Sequence, residues 1–203
     1  DSYATGLDSD AFDPVCAHLL VEEEATGLVV GTYRLQTGTS AAANLGYYSQ
    51  QEFDFRPYEG ARSEIIELGR ACVHAQHRNL SALSLLWKGI AAFARENRAR
   101  YLLGCSSLTS QDPAEGAAMY RQLAAGHLAP EGWRTTPQPG YECSLEAGGR
   151  AAPRVPKLLG AYLAIGARIC GPPAIDREFK TIDFLTLLDL QTLPAHVVQK
   201  YLT

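Results

Sequence analysis

The sequence predicts a mixed α/β domain, of the α/β or α+β class, in which helices flank a central sheet. Three observations carry this. Residues 65–106 read as strand, helix, strand, the pattern of a βαβ unit. Two β-branched and aromatic runs at 18–22 and 27–35 lie one short turn apart, so a hairpin is expected and the sheet is not purely parallel. Hydrophobic residues make up 46% and charged residues 20% of the 203-residue chain, which suits one packed domain and not disorder.

The elements follow in order. His-Leu-Leu-Val-Glu at 18–22 and Gly-Leu-Val-Val-Gly-Thr-Tyr-Arg-Leu at 27–35 are the first two strands, parted by a polar turn at 23–26. Small and polar residues make 38–48 a loop, and 51–55 a short strand or turn. Ile-Ile-Glu-Leu-Gly-Arg-Ala-Cys-Val at 65–73 is a buried strand holding Glu67 and Arg70, with Gly69 marking a bulge. The clearest helix is 80–97, where Leu83, Trp87, Ile90 and Ala94 share a face and Asn79 or Ser81 caps the start. A strand at 101–106 precedes a second helix at 113–125, capped by Asp112 with Pro113 at its first position. A short strand at 141–145, a third helix at 157–167, a last apolar strand at 184–190 and a helical turn at 196–201 complete the chain. The Gly/Pro-rich stretches 135–140 and 147–156 read as loops of a single domain spanning 1–203, with 154–203 as a C-terminal extension. The chain opens on Asp1 and not Met, so an N-terminal piece or a removed targeting segment is expected before it.

Composition excludes several functions. No apolar run approaches the ~20 residues that span a bilayer. The five cysteines are widely spaced without a CxxC pair, which argues against a zinc site or redox pair and for a reducing, cytoplasmic compartment. His18, His74, His77, His127 and His196 have no ligand spacing, so no metal is expected. A net charge of −4 argues against nucleic-acid binding. That charge is uneven. Residues 1–24 hold Asp1, Asp8, Asp10, Asp13 and Glu22 to Glu24 with no Lys or Arg, whereas 70–100 holds Arg70, Arg78, Lys88, Arg95, Arg98 and Arg100 against Glu96 alone. Either the two ends attract a cation and an anion, or they are ordinary solvated faces.

The passage 67–82 concentrates the candidate chemistry. A strand ends at Val73, the polar loop His74-Ala75-Gln76-His77-Arg78 follows, and a helix begins. Free N–H groups at a helix start bind anions or amide-rich linkers; the alternative is a plain strand–helix connection. Glu67 inside an apolar strand should have a raised pKa, which suits a base near neutral pH, or it forms an ion pair with Arg70. Arg34 and the Asp10/Asp13 pair are open to binding or to turn and locking roles. Cys72 and Cys105 read as inert buried thiols, and Ser106 and Ser107 lack a G-x-S-x-G context, so no covalent acyl-enzyme is expected.

The passage ending Val73-His74 and continuing to Arg78 resembles the acyl-donor motif of GNAT acyltransferases. Ser81 and Leu83 stand where that motif has glycines, which favours a carrier-protein pantetheine arm over a coenzyme A diphosphate. Asp10-Ala11-Phe12-Asp13, the Arg34 strand and Glu67-Leu68-Gly69-Arg70 are similar to acyl-homoserine-lactone synthases. The pattern of 10–19, 30–35 and 67–74, continued through 159–167, 170–176, 183–185 and 188–190, resembles more closely the bacterial ornithine N-acyltransferases of ornithine-lipid synthesis. The resemblance covers nearly the whole chain. It implies a GNAT fold with a mixed, mostly antiparallel sheet. The implied reaction moves a 3-hydroxy fatty acyl group from acyl carrier protein to the α-amine of L-ornithine, giving lyso-ornithine lipid; another amino-acid acceptor, or a non-catalytic lipid- or carrier-binding module, are the alternatives.

Setting that reaction against the residues gives the expected roles. Glu67 is the base, Arg70 positions it or the substrate, and Tyr120 is the acid for the thiolate. Asp10, Asp13 and Arg34 take the acceptor. Val73, His74, Arg78, Asn79, Ser81 and Ala82 take the pantetheine arm. The basic residues Lys88, Arg95, Arg98 and Arg100 dock the acidic carrier protein. Acyl-phosphopantetheine is a co-substrate, no cofactor is tightly bound, and an amphiphilic product implies transient contact with the inner membrane.

Overall fold

The computed structural model of the chain describes residues 6–78, 80–146 and 151–201. Strands β1 (Ala17–Glu23) and β2 (Leu28–Thr37) form the expected hairpin. Strand β3 (Ile65–Val73), helix α2 (Leu80–Glu96) and strand β4 (Tyr101–Leu108) form the expected crossover, with β3 and β4 parallel. Helix α3 (Pro113–His127) starts under its Asp112 cap, whose Oδ1 accepts from the Ala114 N–H at 2.9 Å. Helix α4 (Lys157–Ala164), the short strands β5 (Arg168–Ile169) and β6 (Ala174–Asp176), strand β7 (Thr181–Asp189) and helix α5 (Ala195–Tyr201) follow. The sheet has seven strands in the order β1-β2-β3-β4-β7-β5, with β6 also on β7. Every pairing but β3–β4 is antiparallel.

Four readings of the sequence are corrected. Residues 38–48 are not all loop: α1 (Gly38–Ala43) forms there because Thr37 Oγ1 accepts from the Ser40 N–H at 3.1 Å and an alanine run follows. In 51–55, a 3₁₀ helix (Tyr48–Gln51) comes first and Phe53 makes a lone bridge to Pro137. In 141–145, only Glu142 bridges, to Ala174, because the facing strand is three residues long. Helix α4 stops at Ala164, where Gly166 turns the chain at φ +105°. Strands β5 and β6 were too short to leave a periodic signal. Ser81 lies inside α2 and Asn79 lies outside the described residues.

The two faces of the sheet are covered differently. Leu86, Trp87, Ile90 and Ala94 of α2 pack on Tyr33, Leu35, Ile66, Leu102 and Leu188. The alternate residues Ile65, Leu103, Leu185 and Leu187 point the other way, onto Tyr47, Phe53, Phe55 and Tyr58 of the irregular segment after α1. Near the sheet centre one feature departs from regular pleating. β3 and β4 pair only from Ile65–Glu67 to Tyr101–Leu103, although both strands run on, to Val73 and Leu108. Beyond that point they diverge.

Candidate active site

The divergence begins at Gly104, where any Cβ would lie 2.2 Å from the Leu68 carbonyl oxygen. Only glycine lets β4 approach β3 so closely at the last paired turn. On the other side of β3, the ladder with β2 shifts between Thr32 and Arg34, so that Arg70 and Ala71 oppose the single residue Tyr33. This is the expected bulge. It holds Arg70 at φ +50°, an unusual conformation for a side-chain-bearing residue and one that recurs at functional sites.

Glu67 sits on the face opposite α2 and is buried, at 4% exposure. Its Oε2 accepts from the Tyr48 N–H at 2.7 Å and its Oε1 from the Ser49 N–H at 2.8 Å, so the carboxylate caps the 3₁₀ helix Tyr48–Gln51. Burial pushes its carboxyl up, against the opposing pull of Ser49, Tyr48 and Arg34. The anticipated Glu67–Arg70 ion pair does not form. Arg70 instead donates to Asp8 Oδ1 at 2.6 Å and Asp10 Oδ2 at 2.9 Å, with the Phe179 ring 4.9 Å from its guanidinium carbon.

Arg34, also buried, donates through Nη1 to Asp10 Oδ1 at 2.6 Å and Asp13 Oδ1 at 2.8 Å, beside the Phe12 and Tyr48 rings, which pack edge to face. Partial burial opposes charge on Asp10, but Arg34, the Phe12 N–H and Arg70 together hold its carboxyl below the ordinary range. The N-terminal aspartates are thus strapped to β2 and β3 by this protein's own arginines, which is the locking role left open by the sequence.

The remaining expected residues are distributed as follows. Val73 ends β3, the His74 N–H donates to the Val30 oxygen at 2.9 Å, and Arg78 Nε donates to the Val73 oxygen at 3.2 Å. Ser81 and Ala82 lie in the first turn of α2. Lys88, Arg95 and Arg98 are exposed, whereas Arg100 makes a two-point pair with Asp189 at 3.1 and 2.7 Å and so serves the β4–β7 end of the sheet. Tyr120 is half-buried on α3 against the cluster of Leu108, Met119 and Leu159. All five cysteines are free thiols; Cys72 is exposed and not buried as expected, because its side chain faces out past the β3 bulge, whereas burial pushes Cys105 up, keeping it protonated.

Two cavities meet at this point. The smaller, of about 230 Å³ and called the polar cavity for its side chains, is walled by Gln36, Tyr48, Ser49, Glu52, Glu67 and Asp183, among others. A larger groove of about 760 Å³ runs past Leu20, Tyr33, Cys72, Pro156, Leu158 and Leu159. Arg34, Arg70, Cys105, Ser107 and Phe179 line both. Within the polar cavity Glu52, Asp176 and Asp183 bring carboxylate oxygens within 4.8 Å of one another, all three residues being buried. Burial first, then the charges of Asp183 and Asp176, push Glu52 up to about 9. No role was read for these three, although an aspartate amid the apolar residues of 181–189 is itself a signal, since strands are depleted in Asp.

Comparison with known proteins agrees with this architecture. The family model described as the acetyltransferase (GNAT) domain matches residues 1–88. The L-ornithine N(alpha)-acyltransferase of Rhodobacter capsulatus is 33% identical over 92% of this chain and 76% of its own length. That of Brucella abortus is 30% identical over 96% of this chain and 74% of its own. Among solved structures, the coenzyme A-dependent acyl-homoserine lactone synthase BjaI superposes with a TM-score of 0.52 at 14% identity, covering 96% of this chain and 67% of its own. FeeM, an N-acyl amino acid synthase from uncultured soil microbes, gives 0.53 at 11% identity over 95% of this chain and 80% of its own. These structures share the GNAT fold with this chain.

Proposed function

We propose, from the premise that the chain belongs to the L-ornithine Nα-acyltransferase family, that it carries a 3-hydroxy fatty acyl group from acyl carrier protein to the α-amine of L-ornithine. The product is lyso-ornithine lipid. The observation that carries this reading is the meeting of a small cavity walled by the carboxylates of Glu52, Glu67, Asp176 and Asp183 with a larger groove where β3 and β4 diverge.

A thioester donor and an amino-acid acceptor need two entrances and one reaction point. The groove suits an acyl-pantetheine arm. Its walls are partly apolar, and strands that have parted offer backbone groups to the amides of the arm. The polar cavity suits the acceptor. For transfer, the α-amine must be neutral, its nitrogen bonds the thioester carbon, the C–S bond breaks, and the thiolate takes a proton. Glu67 lies in the acceptor wall, and each of its oxygens keeps a lone pair beyond those used by Tyr48 and Ser49. It accepts the amine proton, through a water where the reach is too long. The Arg70 guanidinium, held at the junction, stabilises the charge that develops on the carbonyl oxygen. Tyr120 is assigned the proton for the thiolate, and Leu159 of its cluster lines the groove.

The donor reading is favoured by Ser81 and Leu83 in place of glycines and by the exposed Lys88, Arg95 and Arg98 on α2 and just past its end. No resident cofactor enters this scheme. Among the described residues no helix is long and apolar enough to cross a membrane, so the amphiphilic product would pass to the inner membrane by transient contact. The test is mass spectrometry of a reaction holding the protein, 3-hydroxyacyl carrier protein and a pool of common amino acids plus ornithine. Nα-acylornithine as the single product is expected. A different acyl amino acid would replace the acceptor, and an unreacted thioester would overturn the reading.

A further inference from the structure

The acceptor of this reading carries a second amine, and the N-terminal aspartates are already engaged by Arg34 and Arg70. Another acidic group must then meet the distal charge. We propose that Glu52, Asp176 and Asp183, with the Gln36 amide, form the pocket for the acceptor's side-chain ammonium, and so select an amino acid with a short cationic side chain. The inference rests on the acyl-acceptor reading above.

The cluster alone would not carry this; the state of its polar atoms does. Gln36 is 2% exposed and neither its Oε1 nor its Nε2 has a hydrogen-bond partner, although it lines the cavity. Glu52 Oε2 and Asp183 Oδ1 are likewise buried with no partner beyond the two facing carboxyls themselves. Unsatisfied groups of this kind are costly in a finished interior and mark a site whose ligand supplies the missing bonds. Two further oxygens of the cluster are fixed by the fold. Asp176 Oδ1 accepts from the Glu178 and Phe179 N–H groups at 2.7 and 2.9 Å, and Asp183 Oδ2 accepts from Thr181 Oγ1 at 3.1 Å.

The geometry suits an ammonium. Three oxygens each about 2.8 Å from a tetrahedral nitrogen stand roughly 4.6 Å apart. The three ligand oxygens here fall within a 4.8 Å limit. The positions of the two charges also fit one short substrate. Glu67 caps the start of the 3₁₀ helix Tyr48–Gln51 and Glu52 follows its end, so base and cluster face one cavity from the two ends of that helix. Gln36 lies directly across the β2–β3 ladder from Glu67, on the same face. An α-amine at Glu67 thereby places a short side chain toward Glu52.

Calorimetric binding of L-ornithine and of L-norvaline, which has the same skeleton without the distal amine, tests this in wild type, Glu52→Gln and Asp183→Asn. Wild type is expected to prefer ornithine by about 100-fold, and the variants by less than about 10-fold while still binding norvaline. Equal binding of the two ligands by wild type, or a preference untouched by both substitutions, overturns the proposal. So does displacement of ornithine by Mn²⁺ or Ca²⁺ at micromolar levels, which would make the cluster a metal site. Should a variant not fold, titration of wild type in buffers of different ionisation enthalpy decides. Ornithine should release more protons than norvaline, whose α-ammonium meets Glu67 alone; the other ionisable groups facing the cavity are Cys16, Tyr48, Glu67 and Cys105, with Arg34 and Arg70 as fixed charges. Equal release by both ligands overturns the proposal. Acyl transfer measured alongside separates the two failures. Transfer to ornithine without cluster-dependent binding sinks this inference alone, and cluster-dependent binding without transfer sinks the acyltransferase reading alone.

Discussion

Single carboxylates divide the chemistry of this site. Glu67 is pushed up by burial yet held by two N–H donors, so it ionises above the usual carboxylate range, and as the proposed base it would act only on the alkaline side of that point. Its replacement by Gln should lower kcat by about 10²- to 10⁴-fold while donor binding persists, and should remove the rising limb of the pH–rate profile; full activity in the variant would return Glu67 to a capping role. Glu52 has the opposite consequence for stability. Its carboxyl rises from 4.5 to about 9 on folding. The folded state therefore binds the extra proton, and the contribution is complete below pH 4.5 and is lost as pH climbs toward 9. Glu52→Gln should accordingly melt higher than wild type without ligand, by a margin that widens from pH 6 to pH 9. A margin that shrinks with pH would contradict the direction of the shift. A site that stabilises a cation at the expense of the empty fold is the behaviour expected of a recognition pocket.

Elements translate these residues into positions. β3 does so twice, once through the bulge that turns Arg70 toward Asp8 and Asp10, and once by parting from β4 at Gly104. Gly104→Ala should destabilise the protein by about 1–3 kcal/mol, because its methyl would meet the Leu68 carbonyl, a backbone atom that cannot swing away. The same change should raise the KM for the acyl donor more than that for ornithine, and denaturant melts with paired kinetics would check both. Gly69 and Arg70 inside an apolar strand were enough to read the bulge, since each is unusual there. Gly104 was not legible, because its need arises from a strand with no sequence neighbour near it. The periodic runs gave β1 to β4, α2 and α3, where local pattern and burial agree. Helix α1, though its Thr37 cap is local, is too short at six residues to show a period, and strands β5 and β6 escaped because each depends on β7 as template. For the same reason Asp10, Arg34 and Glu67 were visible as a group, whereas Glu52, Asp176 and Asp183 come together from two distant stretches of chain and showed no local motif.

At the scale of the molecule, the charge asymmetry of the sequence resolves into two different fates. The acidic N-terminal stretch is spent internally, where Asp8, Asp10 and Asp13 fasten to Arg34 and Arg70. Of the basic stretch, Arg70 meets those aspartates and Arg100 pairs with Asp189, while Lys88, Arg95 and Arg98 are exposed. A basic surface on α2 and just past its end, where the Arg100 N–H donates to the Glu64 oxygen ahead of β3, can speed the encounter with an acidic carrier protein without contributing much to final affinity. Screening distinguishes that role. The Debye length shrinks from about 30 Å at 0.01 M salt to about 3 Å at 1 M. Added salt should therefore lower kcat/KM for the carrier-protein donor by roughly 10-fold or more, the range that steering supplies. A free acyl-pantetheine thioester reaches the same groove by diffusion alone and should respond little. Lys88→Glu combined with Arg95→Glu should mimic high salt for the carrier-bound donor, leaving the free thioester unaffected. Equal salt sensitivity of both donors would place the charge requirement inside the site and leave α2 without a docking role.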